Sequence, residues 1–194
     1  MINNNKLFFI LSGLMGLIVI LSNYLVQFPV QFLGLENLLT YGAFSYPITF
    51  LITDLANRAF GKKIAKRIVY IGFVIGVLLT VLVSTNFSDL ISIRIAIGSG
   101  VAFFVAQNID VSIFDKLRKN KLWFVAPFSS SIVGSIIDTF LFFSIAFYNT
   151  DLPWLSLALG DLIVKIIVAI TMLIPFRLLL SEIREYNIVN KNRI

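Results

Sequence analysis

Residues 46–66, YPITFLITDLANRAFGKKIAK, carry the reading of the whole chain. The stretch starts apolar and aromatic, with Pro47 and Asp54 inside what reads as one helix. It then runs into Gly61 and the cations Lys62, Lys63 and Lys66, with Arg67 next. An acid at membrane depth followed by a basic cluster marks a transport or recognition helix leaving a bilayer on its cytoplasmic side.

The composition around this stretch agrees. Of 194 residues, 58% are hydrophobic and 13% charged, and the mean hydropathy is +0.93. A water-soluble domain cannot hide that much apolar surface behind so few charges, so the chain is an integral membrane protein. With no Cys and no His there is no disulfide framework, no Cys/His metal site and no histidine- or cysteine-based catalysis. Neither a metal nor a cofactor is expected, and the chain does not read as an enzyme. The net charge of +6 does not point to nucleic acid, because the cations gather in a few short loops.

Apolar segments of bilayer length fall at about 7–28, 39–60, 68–85, 93–114, 122–148 and 154–180. The expected fold class is therefore all-α, a polytopic membrane protein of six transmembrane helices in one domain over 1–194. A short polar tail at 181–194 is expected to be amphipathic or frayed. No cleavable leader is expected, since the apolar run after Lys6 is too long for one. The loops set the orientation. Those after the first, third and fifth segments hold only Glu36, Asp89 and Asp151, whereas the other side carries Lys6, the 62–67 cluster, Lys116, Arg118, Lys119, Lys121, Arg177, Arg184, Lys191 and Arg193. Both termini are thus expected in the cytoplasm.

Carboxylates at bilayer depth are costly and face a partner, a cavity or water. Asp54, Asp110, Asp138 and Asp161 qualify. Lys165 lies one turn after Asp161, so that pair is either a self-neutralising bridge or part of a ligand site. Asp54 has Arg58 four residues on, and Asp110 lies close to the basic loop, so structural pairing competes with ligand binding at both. Asp138 has no cation within a turn of its own helix and is the strongest functional candidate. Gln107, Asn57, Thr49, Thr53 and the serines of the fifth segment add hydrogen-bonding capacity, although small residues also serve helix packing in lipid. Carboxylates, amides, hydroxyls and aromatics together suit a small, flat ligand rich in N–H donors, such as a nucleobase or vitamin.

In order along the chain, Tyr46, Pro47, Thr49, Asp54, Asn57, Gly61 and Ala65, then Gly72-Phe73, resemble the queuosine precursor transporter family, also called vitamin uptake transporters. So do Arg94, Gln107, Asp110 and Leu117-Arg118 in the fourth segment. Ser130, Asp138, Thr139 and Phe143 in the fifth match as well, as do Trp154, Gly160-Asp161, Lys165 and Pro175-x-Arg177 in the sixth. One departure is Arg58, where many members carry an acid. The resemblance implies a small bacterial cytoplasmic-membrane importer of 7-cyano-7-deazaguanine and 7-aminomethyl-7-deazaguanine, with Asp54, Asn57, Gln107, Asp110, Asp138, Asp161 and Lys165 as substrate-binding candidates. A competing reading is the substrate-binding membrane subunit of a multi-component vitamin importer driven by a separate ATPase. An intramembrane aspartyl protease is disfavoured, because residue 158 is Ala where Gly-x-Gly-Asp needs glycine.

Overall fold

The computed structural model describes residues 4–32, 39–79, 82 and 88–191, and for 184–191 the backbone alone. The named elements among the described residues are all helices: α1 (Asn4–Leu25), α2 (Gly42–Ser45), α3 (Ile48–Phe60), α4 (Lys62–Leu79), α5 (Leu90–Leu117), α6 (Val125–Phe147) and α7 (Trp154–Lys191). Four of them, α1, α5, α6 and α7, are long and apolar enough to cross a bilayer. Pro29 and Thr40 form an isolated antiparallel bridge after α1, which lays Val30 and Leu39 against Val164 of α7.

The expected second helix, 39–60, is broken. Pro47 has no N–H to continue the ladder, so α2 ends at Ser45 and α3 restarts at Ile48. Tight three-residue bonds bridge the break, from Thr49 N to Tyr46 O at 3.0 Å and from Phe50 N to Pro47 O at 3.2 Å. The expected third segment, 68–85, is shifted: α4 begins at Lys62 and takes the basic cluster into its first turns. Residues 80, 81 and 83–85 of that segment lie outside the described residues. At the α3–α4 junction Gly61 adopts φ 80°, a left-handed region open to glycine, and its N–H closes α3 on the Asn57 carbonyl at 2.9 Å. The C-terminal stretch from 181, expected to be amphipathic or frayed, continues α7 as helix to Lys191. At the other boundary Asp89 caps α5 through both carboxylate oxygens, on Ile91 N and Ser92 N at 3.2 and 3.0 Å.

Helix α5 makes its most extensive contact with α6, α1 pairs with α4, and α6 packs on α7. The α1–α4 seam is closed by small residues. A methyl group added at Gly72 or Gly76 would sit 2.1 Å from Met15 or 2.4 Å from Val19, so these glycines let the two backbones approach. Two arginines on α5 tie its ends to neighbours. Arg94 donates to the Ile145 and Tyr148 carbonyls at 2.9 and 2.7 Å, where α6 ends, and Arg118 donates to the Asn57 carbonyl at 3.0 Å, where α3 ends. The cations thus sit at the C-terminal ends of α6 and α3, where the helix dipole favours positive charge.

Candidate functional site

The break at Pro47 turns Tyr46 into the bundle, where α6 and α7 bring their buried charges. Asp138, Asp161 and Lys165, only 2, 5 and 4% exposed, meet there. The Lys165 ammonium donates to Asp138 Oδ2 at 2.8 Å, to Asp161 Oδ2 at 2.6 Å and to Thr139 Oγ1 at 3.1 Å, which uses all three of its protons. Thr139 in turn donates to Asp161 Oδ2 at 2.9 Å. The ammonium also lies 5.0 Å from the centroid of the Tyr46 ring, a cation–π contact. Asp138 therefore does have a cation, supplied by the neighbouring helix rather than its own.

Tyr46, Asp138, Asp161 and Lys165 line a cavity of about 30 Å³, together with Ser22, Asn23, Val26, Gly42, Ser99 and Phe142. Ser99 donates to Asn23 Oδ1, which ties α5 to α1 on the cavity wall. Among the described residues, Asp138 Oδ1 and the Tyr46 hydroxyl are buried without a hydrogen-bond partner. They lie toward one another outside hydrogen-bond geometry. With both carboxylates ionised against one ammonium the site has an excess negative charge, and Asp138 Oδ1 and the Tyr46 hydroxyl are left unpaired beside the cavity.

A second group of acids lies elsewhere. Asp54 on α3 accepts from Ser130 at 3.2 Å and from Ser131 at 3.5 Å, both on α6. Asp110 on α5 is 0% exposed and close enough to Asp54 for the two charges to act on each other. The interfacial alternative for Asp110 does not hold, because burial removes it from the basic loop. Arg58, the expected partner of Asp54 at i+4, donates to the Arg118 carbonyl at 2.7 Å.

Asn57 and Gln107 occupy the seam between α3 and α5. The Gln107 amide donates to Thr49 Oγ1 at 2.8 Å and its carbonyl accepts from Thr53 at 2.5 Å, while Asn57 donates to the Val111 carbonyl at 2.9 Å. Of the expected site residues, then, Asp138, Asp161 and Lys165 converge on the cavity, Asp54 and Asp110 form a separate pair, and Asn57 and Gln107 join helices. Tyr46 and Thr139 enter the site without having been singled out for it. The signal for Tyr46 was its position directly before a helix-breaking proline.

The profile of the family described as "Putative vitamin uptake transporter" matches residues 40–180. That range runs from α2 through most of α7 and contains both acid groups. The chain belongs to this family. Three relatives agree with the assignment. The "Queuosine precursor transporter" of Escherichia coli (strain K12) is 33% identical over 97% of this chain and 93% of its own length. The "Probable queuosine precursor transporter" of Haemophilus influenzae is 36% identical over 81% of this chain and 79% of its own. Its namesake in Bacillus subtilis (strain 168) is 30% identical over 81% and 80%. No solved structure matches the chain. Its relatives are named transporters in their own right, in line with the stand-alone reading and not with the ATPase-driven subunit.

Proposed function

We propose that this protein imports a queuosine precursor, 7-cyano-7-deazaguanine or 7-aminomethyl-7-deazaguanine, across the bacterial cytoplasmic membrane, and that the ligand binds in the cavity beside Asp138 and Tyr46. The observation that carries this reading is the pairing of a free carboxylate oxygen with a free hydroxyl in a buried, negatively charged cavity. A deazaguanine ring offers the complement, an N–H donor next to a carbonyl acceptor. The excess negative charge also suits the cationic aminomethyl group. Tyr46 and Phe142 supply aromatic faces for the flat ring. Asp161, Thr139 and Lys165 hold Asp138 in place.

The cavity has room for roughly two waters, since one needs about 10–15 Å³ by the same measure. A bicyclic ring enters only when the surrounding helices part, which is the requirement of alternating access. The wider architecture follows the same reading. Residues 42–60, taken across the Pro47 break, rise about 28 Å, and α4 rises about 27 Å, close to the thickness of a hydrocarbon core. With these two the chain makes six crossings in one domain and both termini are cytoplasmic. The cations of α4 support that orientation. Lys62, Lys63, Lys66 and Arg67 occupy the start of a helix, where the helix dipole disfavours positive charge. The positive-inside preference accounts for them instead.

The test is uptake of labelled 7-aminomethyl-7-deazaguanine into liposomes that contain only the purified chain. Saturable uptake, competed by the cyano compound, is the expected result. Absence of both binding and uptake would reject this substrate class.

A further inference from the structure

We propose that Asp54 and Asp110, with Ser130 between them, form a proton-binding site distinct from the substrate cavity, and that proton movement through it drives import. The coupling half of this proposal rests on the transport reading above; the proton half does not.

The argument is an inventory of hydrogens. The group contains four carboxylate oxygens. Facing them are two hydroxyls, Ser130 and Ser131, each with one proton to give. Ser130 is 3.2 Å from Asp54 Oδ1 and 3.3 Å from the Pro127 carbonyl, so its single proton already has two claimants. It also lies beside Asp110, a third claimant on that one proton. Among the described residues, both oxygens of Asp110 are buried with no hydrogen-bond partner at all. A fully buried carboxylate without a donor is the costliest state a polar group can hold. One added proton on either carboxyl removes a negative charge from the pair and supplies the missing donor. Buried carboxylates that share a site reach the same solution elsewhere.

Among the described residues, the ionisable groups of the surrounding helices include these. On α6 the only ionisable residue is Asp138, seven positions beyond Ser131 and bound to Lys165. On α7, Asp161 and Lys165 are engaged with each other and with Asp138, and Arg177 lies over the Trp123 ring. On α3 Arg58 serves the Arg118 carbonyl, and Arg118 itself pairs with Asp115 at 3.5 Å. The remaining ionisable groups of α5 are Arg94, which caps α6, and Lys116 in its last turn. Helix α4 contributes Lys62, Lys63, Lys66, Arg67 and Tyr70, and α1 contributes Lys6 and Tyr24.

The two sites share their scaffold. Ser131 and Asp138 are two turns apart on α6, and Asp54 follows Tyr46 by eight residues across the Pro47 break, so each of these two segments contributes a residue to both sites. A change in repulsion between Asp54 and Asp110 therefore acts on the helices that carry the substrate contacts. Protonation from the acidic side and release to the other complete the cycle, with water as donor and acceptor.

Two measurements test this. Infrared spectroscopy of the purified protein near neutral pH is expected to show a protonated carboxyl C=O band, shifted in D2O and lost in Asp110→Asn. In proteoliposomes, an outside-acid gradient of about one pH unit should drive up to about tenfold accumulation of labelled 7-aminomethyl-7-deazaguanine per co-transported proton. In Asp110→Asn, and separately in Asp54→Asn, the ratio of accumulation with and without the gradient should fall to one. A wild-type protein with no such band, or a variant that keeps the gradient response, overturns the proposal. If no preparation takes up substrate, the transport reading falls, and the band alone decides whether the proton site exists.

Discussion

The two groups of buried acids are built on overlapping helices and stabilised in opposite ways. Asp138 and Asp161 hold a lysine whose three protons are all engaged, whereas Asp54 and Asp110 have only serine hydroxyls at hand. The first group is a fixed charge arrangement that leaves one acceptor open to a ligand. The second lacks a donor and is completed by a proton. A buried cation thus separates a site suited to recognition from one suited to titration.

The comparison breaks most severely at Lys165. Lys165→Met leaves two carboxylates uncompensated, and removing one partner of a buried pair costs about 3–5 kcal/mol. Uptake should be lost, and the melting temperature in detergent should drop clearly. Adding Asp138→Asn and Asp161→Asn to that variant should restore the melting temperature but not uptake. An unchanged melting temperature in Lys165→Met would show that the lysine is not balancing these charges.

A smaller effect is expected from Asp138→Asn, since Lys165 keeps Asp161 and Thr139. A hydrogen bond to a charged group contributes about 1.5–3 kcal/mol, so equilibrium binding of labelled substrate should weaken by about tenfold or more. Unaltered affinity would remove Asp138 from the site. The mildest change lies between the two groups. Gln107→Leu cuts the link from α5 to Thr49 and Thr53, but both hydroxyls retain a backbone carbonyl, Tyr46 and Thr49 respectively. Stability should fall by about 1 kcal/mol with uptake little changed. A large loss of uptake at undiminished stability would instead make Gln107 a ligand contact.

How much of this was legible in the sequence depended on distance along the chain. The Asp161–Lys165 pair follows from four-residue spacing, and the membrane class follows from composition. Asp138 could be recognised as exceptional, yet its cation lies on α7 and is brought to it only by helix packing. Gln107 and Asn57 have the chemistry of ligand contacts, and nothing local distinguishes an amide that binds solute from one that joins two helices. Pro47 was visible as an anomaly, but the chain continues through it in helical geometry, so its effect of turning Tyr46 toward Lys165 required the fold.

The arginines at the two ends of α5 have a mechanical consequence. Arg94 fastens one end to the terminus of α6 and Arg118 fastens the other to the terminus of α3, with the Gln107 and Asn57 bonds between. Like a beam pinned at both ends, α5 carries α3 and α6 with it as one frame. The seams along α1 and α7 are tied instead by the polar groups around the cavity, Ser99 with Asn23 and Lys165 with Asp138, and the opening stroke should follow them. With no native cysteine in the chain, paired spin labels can be placed at will. Label separations across α5–α6 should stay constant when substrate is added while those between α1 and α7 change; the reverse pattern would show that the frame itself flexes.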